Sequence, residues 1–556
     1  MSEAPPRRLT RRAALTGAAA LGAGALVRPA AGRATPAPSP GRVWARWWGR
    51  LHGESPPIAA GGRFVLAGLQ WSHPQRARIE LRTRTAQGGW SPWSPASVQG
   101  HEPDGAPRAP RSRFGEPVWS GTASEVQLRS ASAVDGVRLH FVAPVGGSAR
   151  PAEATAGAAL TPATPVLDAG PGQPEIIARS AWAGRHAKPV SPPFYGSVRL
   201  AFVHHTVNPN GYSSGQVPAM LVAIFDYHRF VRGYRDIAYN FIIDAFGRIW
   251  EARAGGIDEP VLGAHAGGFN AVSTGVAVLG TFTSAPPPPV ALDALNRLLA
   301  WKLSLHGVPV LGRVGVRVNP HDAFYTPFAP GQLVHLERVS GHRDGDLTDC
   351  PGNAFYHQLG SLRPQVAALT GTPARLTIAA RTARVRSGAT VTISGRLAML
   401  DGGQPLTAAP IEIQRVSGAA ETTLATATTD LTGAWSVALP MARGAVIRAL
   451  HRAAPAAVSE LLAVSVAPVL TLVLTSSSPP RVSGTIAPAK GTVNVDTYEL
   501  MDRGRRRLLA SQRVRVRRGR FSARVPDVGS TRRLAVVART AEGGGTLAGQ
   551  SPTVNV

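Results

Sequence analysis

Apolar and polar positions change their period twice along the chain. Between residues 60 and 145 the runs RFVLAGLQW, ARIELRTRT, EVQLRS and GVRLHFV alternate in steps of two between Gly, Pro and Ser turns. That pattern predicts a small antiparallel β domain. From 174 to 371 strands and helices interleave. VRLAFVHH (198–205), AYNFIID (238–244), RIWEAR (248–253) and GVAVLGTF (275–282) read as strands. VPAMLVAIFDYHRFV (217–231) reads as a helix, as do 291–307, with Leu292, Leu295, Leu299 and Leu303 at helical spacing, and a last segment near 353–369. Such mixing predicts an α/β domain with a mixed sheet flanked by helices. After residue 374 the helical period vanishes. Two sets of alternating stretches, 374–466 and 467–556, predict two small β-sandwich domains.

The stretches between these units have their own texture. Residues 35–59 are read as a spacer that carries Trp44, Trp47 and Trp48, and 146–173, rich in Pro, Ala and Gly, as a linker. Residues 1–34 have the shape of a secretory signal, because the apolar run 13–27 is shorter than the roughly 20 residues a membrane span needs. Arg11-Arg12 directly before that run resembles a twin-arginine signal. No later run of 18 or more apolar residues exists. The expectation is therefore a secreted or surface-associated chain with no integral membrane span.

Charge and cysteine usage sharpen the picture. The 556 residues hold 60 Lys+Arg against 33 Asp+Glu, a formal +27, which favours an anionic partner without naming it. Cys350 is the sole cysteine, so it cannot form an internal disulfide. In an oxidising compartment such a thiol is buried and inert, paired with another chain, or a metal ligand. His204 and His205 end a strand, where successive side chains point to opposite faces, so only one of them can aim into a given site. His342 stands eight residues before Cys350. Two imidazoles and a thiolate with an open fourth position make a catalytic zinc pattern. Spacing alone leaves open a set of unrelated histidines and a buried cysteine, and Asp344, Asp346 and Asp349 are near enough in sequence to compete as oxygen ligands.

Six segments carry a resemblance. They are Val203-His204-His205-Thr206, IAYNFII (237–243), GAHAGGFN (263–270), the glycine-bounded strand 275–280, Gly341-His342-Arg343-Asp344 and Thr348-Asp349-Cys350-Pro351-Gly352. In this order they resemble the peptidoglycan recognition protein family, whose catalytic members, like the related phage amidase-type lysozymes, are zinc N-acetylmuramoyl-L-alanine amidases. The resemblance covers about residues 174–371. It implies a groove for the stem peptide and muramic acid of peptidoglycan, and Zn²⁺ held by His204 (rather than His205), His342 and Cys350. It also implies that Tyr239 orients the attacking water or the substrate carbonyl. Thr348 occupies a catalytic position where the phage enzymes carry a lysine. His205, His265 and Asn270 are expected as substrate contacts. No carboxylate is placed as a general base, although Asp244 and Glu251 lie on nearby strands.

The implied function is an exported amidase that cuts the bond between the lactyl group of N-acetylmuramic acid and L-alanine; the alternative is a non-catalytic peptidoglycan-binding or scaffold protein. Ten arginines between 503 and 524, with Arg513, Arg515 and Arg517 alternating with valines, read either as a solvated strand face or as a grip on anionic cell-wall polymer. No aromatic residue interleaves within 513–517, which argues against nucleic acid as the partner. Phe225, Tyr227, His228, Phe230 and Tyr234 read either as a groove lining or as one side of a half-buried helix.

Overall fold

The computed structural model describes residues 43–72, 77–85, 88–96, 112–143, 172–184, 186–417, 420–453, 455–489, 491–502, 505–527, 532–541 and 547–556. The expected leader with its arginine pair lies outside these residues, as does the expected 146–173 linker up to residue 171.

The N-terminal β domain is built mainly from β1 (Val43–Glu54), β2 (Ile58–Ser72), β3 (Glu80–Thr85), β4 (Ser112–Phe114) and β5 (Val118–Val142), with the short strand Ser94–Pro95 paired to β3. The long β5 is its spine, pairing with β1, β2 and β3, while β4 pairs with β2. Phe64, Trp71, Leu81, Leu128, Leu139 and Phe141 form its core. The segment expected as a spacer, 35–59, holds β1 over Val43–Glu54 and the start of β2. Trp44 stacks on Phe141 with ring centroids 5.5 Å apart and donates its indole N–H to the Ala60 carbonyl at 2.8 Å. Gly49 and Gly53 adopt φ of 97° and 72°, a region open mainly to glycine, and the pairing register shifts around both. These bulges break the two-residue period, so the strand has no alternating signature.

The central domain holds β6 (Ile176–Ile177), β7 (Leu200–His205), α1 (Val217–Asp226), β8 (Phe241–Ile243), β9 (Ile249–Glu251), β10 (Ser273–Val278), α2 (Pro289–Leu305), β11 (Val339–Gly341) and α3 (Asn353–Thr370). Its sheet runs β11-β7-β10-β8-β9-β6, parallel except for the β8–β9 pair. One face is covered by α2 and α3, where Leu295, Leu299, Leu303, Phe355 and Leu359 meet Val203 and Val276. The opposite face carries α1, which continues into a wider π-helical turn, Tyr227–Val231. On that face Val65, Leu66, Trp119 and Val142 of the β domain join Met220, Leu221, Tyr227 and Ile242 in one apolar core. An apolar interface of this kind fixes two domains against each other.

Beyond residue 374 lie two β-rich regions, each with more than one sheet around its own core. The first is seated on the central domain: Leu450, Ala456 and Val458 enter the core beneath α2. Beside them the buried Arg448 pairs with Asp258 at 2.6 Å and Glu259 at 2.8 Å. Among the described residues no helix is long and apolar enough to cross a membrane.

Candidate metal centre

Alternation along β7 decides which histidine faces the site. Leu200 and Phe202 point to a cluster with Phe269, Val316 and Leu336, whereas Ala201 and Val203 point to the α2–α3 layer. His204 follows the first pair and His205 the second. β11 runs parallel to β7 with Gly341 opposite Val203, so His342 emerges next to His204, and their rings lie 4.6 Å apart. Cys350 arrives on a turn closed by its own N–H donating to Thr348 Oγ1 at 3.2 Å and by the Arg343 N–H donating to its carbonyl at 3.0 Å. Cys350 Sγ lies 3.8 Å from His204 Nδ1. One ligand atom from each of His204, His342 and Cys350 lies within 4.8 Å of the others.

The far nitrogen of each imidazole is also engaged. His204 Nε2 lies 3.2 Å from His265 Nδ1, and His342 Nε2 lies 2.9 Å from Asp346 Oδ2. Asp346 Oδ2 accepts in addition from the Gly267 N–H at 2.8 Å. Such contacts select the nitrogen left for a metal and hold the ring in place. Burial, aided by neighbouring histidines, keeps His204 neutral far below the usual imidazole range, and burial pushes His342 down to about 3. Burial pushes the Cys350 thiol up. Two neutral nitrogens and a sulfur that needs a nearby cation to ionise fit Zn²⁺ rather than a hard, oxygen-seeking ion.

Tyr239 is fully buried with its ring 5.2 Å from that of His204. Its hydroxyl donates to Glu116 Oε2 at 3.4 Å. Glu116 comes from the β domain, between β4 and β5, and burial raises its carboxyl to about 7 against the opposing pull of Arg232. No local pattern marks this residue, which stands 123 positions from Tyr239 and between strands rather than in one. Thr348 is half-exposed beside the cysteine it braces.

The three residues expected as substrate contacts are all buried. His205 points into the helix layer, where its Nδ1 accepts from the Phe282 N–H at 3.3 Å, because the strand pleat turns it away from His204. His265 lies behind His204, fully buried. Asn270 closes the turn that holds it, its Oδ1 accepting from the His265 and Ala266 N–H groups at 2.7 and 3.0 Å. Asp244 is engaged by Arg248 and Trp250, and Glu251 by the Arg179 N–H. Of the aromatic set around α1, Phe225, Tyr227, His228 and Tyr234 are buried and only Phe230 is exposed. A cavity of about 960 Å³ adjoins the cysteine turn, lined by Glu54, Glu80, Trp93 and Arg129 on the β domain and by Thr283 and Asp349 on the central one.

Residues 194–353 match a family described as N-acetylmuramoyl-L-alanine amidase, and residues 50–164 match one described as Rv3811 N-terminal galactose-binding domain-like. Peptidoglycan-recognition protein 1 of Holotrichia diomphalia is 32% identical over 160 residues, 27% of this chain and 78% of that protein. Peptidoglycan-recognition protein 2 of the same organism is 34% identical over 192 residues, 34% of this chain and 87% of its own length. Among solved structures, wild-type Drosophila PGRP-LB is 26% identical over 34% of this chain and 92% of that one, with a TM-score of 0.26.

Proposed function

This chain belongs to the peptidoglycan-recognition protein family through its central domain, and on that premise we propose that it is an exported zinc-dependent N-acetylmuramoyl-L-alanine amidase. The bond cut is the amide between the lactyl group of N-acetylmuramic acid and L-alanine in peptidoglycan. One observation carries this reading: His204, His342 and Cys350 converge with Tyr239 beside them. Zinc bound there supplies a Lewis acid that activates water and polarises a carbonyl at neutral pH.

The protein's own groups do the rest. His204 and His342 stay neutral donors because burial suppresses their protonation. The Tyr239 hydroxyl stays protonated, held well above its usual range by burial and by Glu116, and with its proton directed at Glu116 its oxygen is oriented to accept a hydrogen bond from the attacking water. Thr348 keeps Cys350 in place through its backbone rather than supplying the cation found in phage enzymes. The exposed guanidinium groups of Arg513, Arg515 and Arg517, above half-buried Val514 and Val516, give salt-sensitive affinity for anionic wall polymer. Export is assigned to the leader with Arg11-Arg12.

The test is mass spectrometry of sacculi digested by the full chain, with and without a zinc chelator. Stem peptides with a free L-alanine amino terminus are expected, to be lost with chelator, regained with added Zn²⁺ and absent for Cys350→Ser. Digestion that leaves every stem peptide joined to its muramic acid overturns the assignment.

A further inference from the structure

We propose that Glu116 is a positioning residue for Tyr239, so that the β domain is a working part of the active site and not an appendage to it. The inference rests on the amidase reading. Three observations carry it. First, the Glu116 carboxyl, 3% exposed, accepts a hydrogen bond from the Tyr239 hydroxyl at 3.4 Å. Second, the segment that delivers it is tied to the central domain on both sides of Glu116. The Tyr227 hydroxyl donates to the Gly115 carbonyl at 3.1 Å, and the Trp119 N–H donates to Asn208 Oδ1 at 2.9 Å. Asn208 donates in turn to Thr206 Oγ1 at 3.0 Å, two residues past the ligand His204. The Arg232 guanidinium lies 4.8 Å over the Phe114 ring. Third, Trp119 sits in the apolar core shared by the two domains, so the segment is a fixed wall rather than a lid.

A phenol hydroxyl flips between two in-plane orientations about its C–O bond, and its ring swings where nothing holds the far end. A buried acceptor removes both freedoms, and a displacement of about 1 Å near a reacting group can cost about 100-fold in rate. Glu116 supplies the acceptor from a separate domain, and the two-domain core keeps that acceptor in register with the metal ligands. The carboxyl acts through Tyr239 and needs no contact with substrate.

The experiment uses the full chain with Glu116→Leu, Glu116→Gln, Tyr239→Phe and the double variant Glu116→Leu/Tyr239→Phe. Zinc content, thermal midpoint, kcat and KM are measured on a soluble N-acetylmuramoyl-tripeptide. Glu116→Leu is expected to lower kcat by about 10- to 100-fold with zinc content and KM unchanged. Glu116→Gln, which keeps an acceptor oxygen, should stay within about threefold of wild type. In the Tyr239→Phe background the leucine substitution should cost nothing more, since the group it positions is gone. Glu116→Ala replaces the leucine variant if the latter does not fold. The inference is overturned by an unchanged kcat, by a glutamine variant as slow as the leucine one, or by an equal loss in the Tyr239→Phe background. A rise in activity also overturns it, because the segment is then an obstruction. A wild-type chain that releases no L-alanine amino termini overturns the amidase reading instead.

Discussion

At the candidate metal centre each imidazole is aimed by what its second nitrogen touches. His265, held by Asn270 through its backbone, is the group against His204 Nε2. Its replacement by alanine should leave the fold intact and weaken zinc binding about 10- to 100-fold, measured by competition with a chromophoric chelator. Unchanged affinity would show that packing alone aims His204. Away from the centre, His140 of β5 lies 2.8 Å through Nε2 from Gln70 Oε1, and burial, then Arg138 and Arg232, lowers it from 6.5 to about 4. Between those values the unfolded chain binds a proton that the folded one refuses. The associated stability is therefore whole above about pH 6.5 and is lost as pH falls towards 4. His140→Gln should flatten the decline between pH 7 and 5 in urea denaturation, and an identical decline in both proteins would contradict this.

At the scale of elements, the surface between β2 and the π-helical turn after α1 sets how the β domain meets the site. Gly68 of β2 lies against the Tyr227 ring, with no room for a Cβ. Tyr227 also holds Gly115, the neighbour of Glu116. Gly68→Ala therefore forces the ring or the strand to move and should cost about 1–3 kcal/mol by overpacking. The same shift should lower amidase turnover although residue 68 touches no ligand. A chemical denaturation midpoint and kcat measured on the same preparation check it, and loss of neither would mean the interface relaxes freely. The helices were legible here because α2 repeats its leucines on one face, and β1 was not, because Gly49 and Gly53 interrupt its alternation.

In the whole molecule, Arg448 joins the first C-terminal β-rich region to the central domain. It is wholly buried against Asp258 and Glu259, with Gln414 Oε1 at 2.9 Å. Nearby Lys302 donates to the carbonyls of Ile257 and Glu259, and burial pushes it down to about 7. Arg448→Ala leaves two buried carboxylates without their guanidinium. It should cost about 3–5 kcal/mol and split one unfolding transition into two, as read by calorimetry. A loss below about 1 kcal/mol would mean the apolar contacts of Leu450 and Val458 suffice. The C-terminal regions are thus anchored to the amidase domain, at least at their first member, rather than tethered beside it.

The residue pattern by itself determined the strand and helix periods, the α/β character of 174–371 and the three residue types that meet at the metal centre. These follow from rules that act within a few residues: a pleat with period two, a helix with period near 3.6, and the chemistry of imidazole and thiol. Only the tertiary structure decided that His205 serves the helix layer, that His265 and Asp346 face the far nitrogens of the ligands, and that Glu116 meets Tyr239. Those contacts join segments distant in sequence, and their partners are chosen by how whole sheets pack, which no local period encodes.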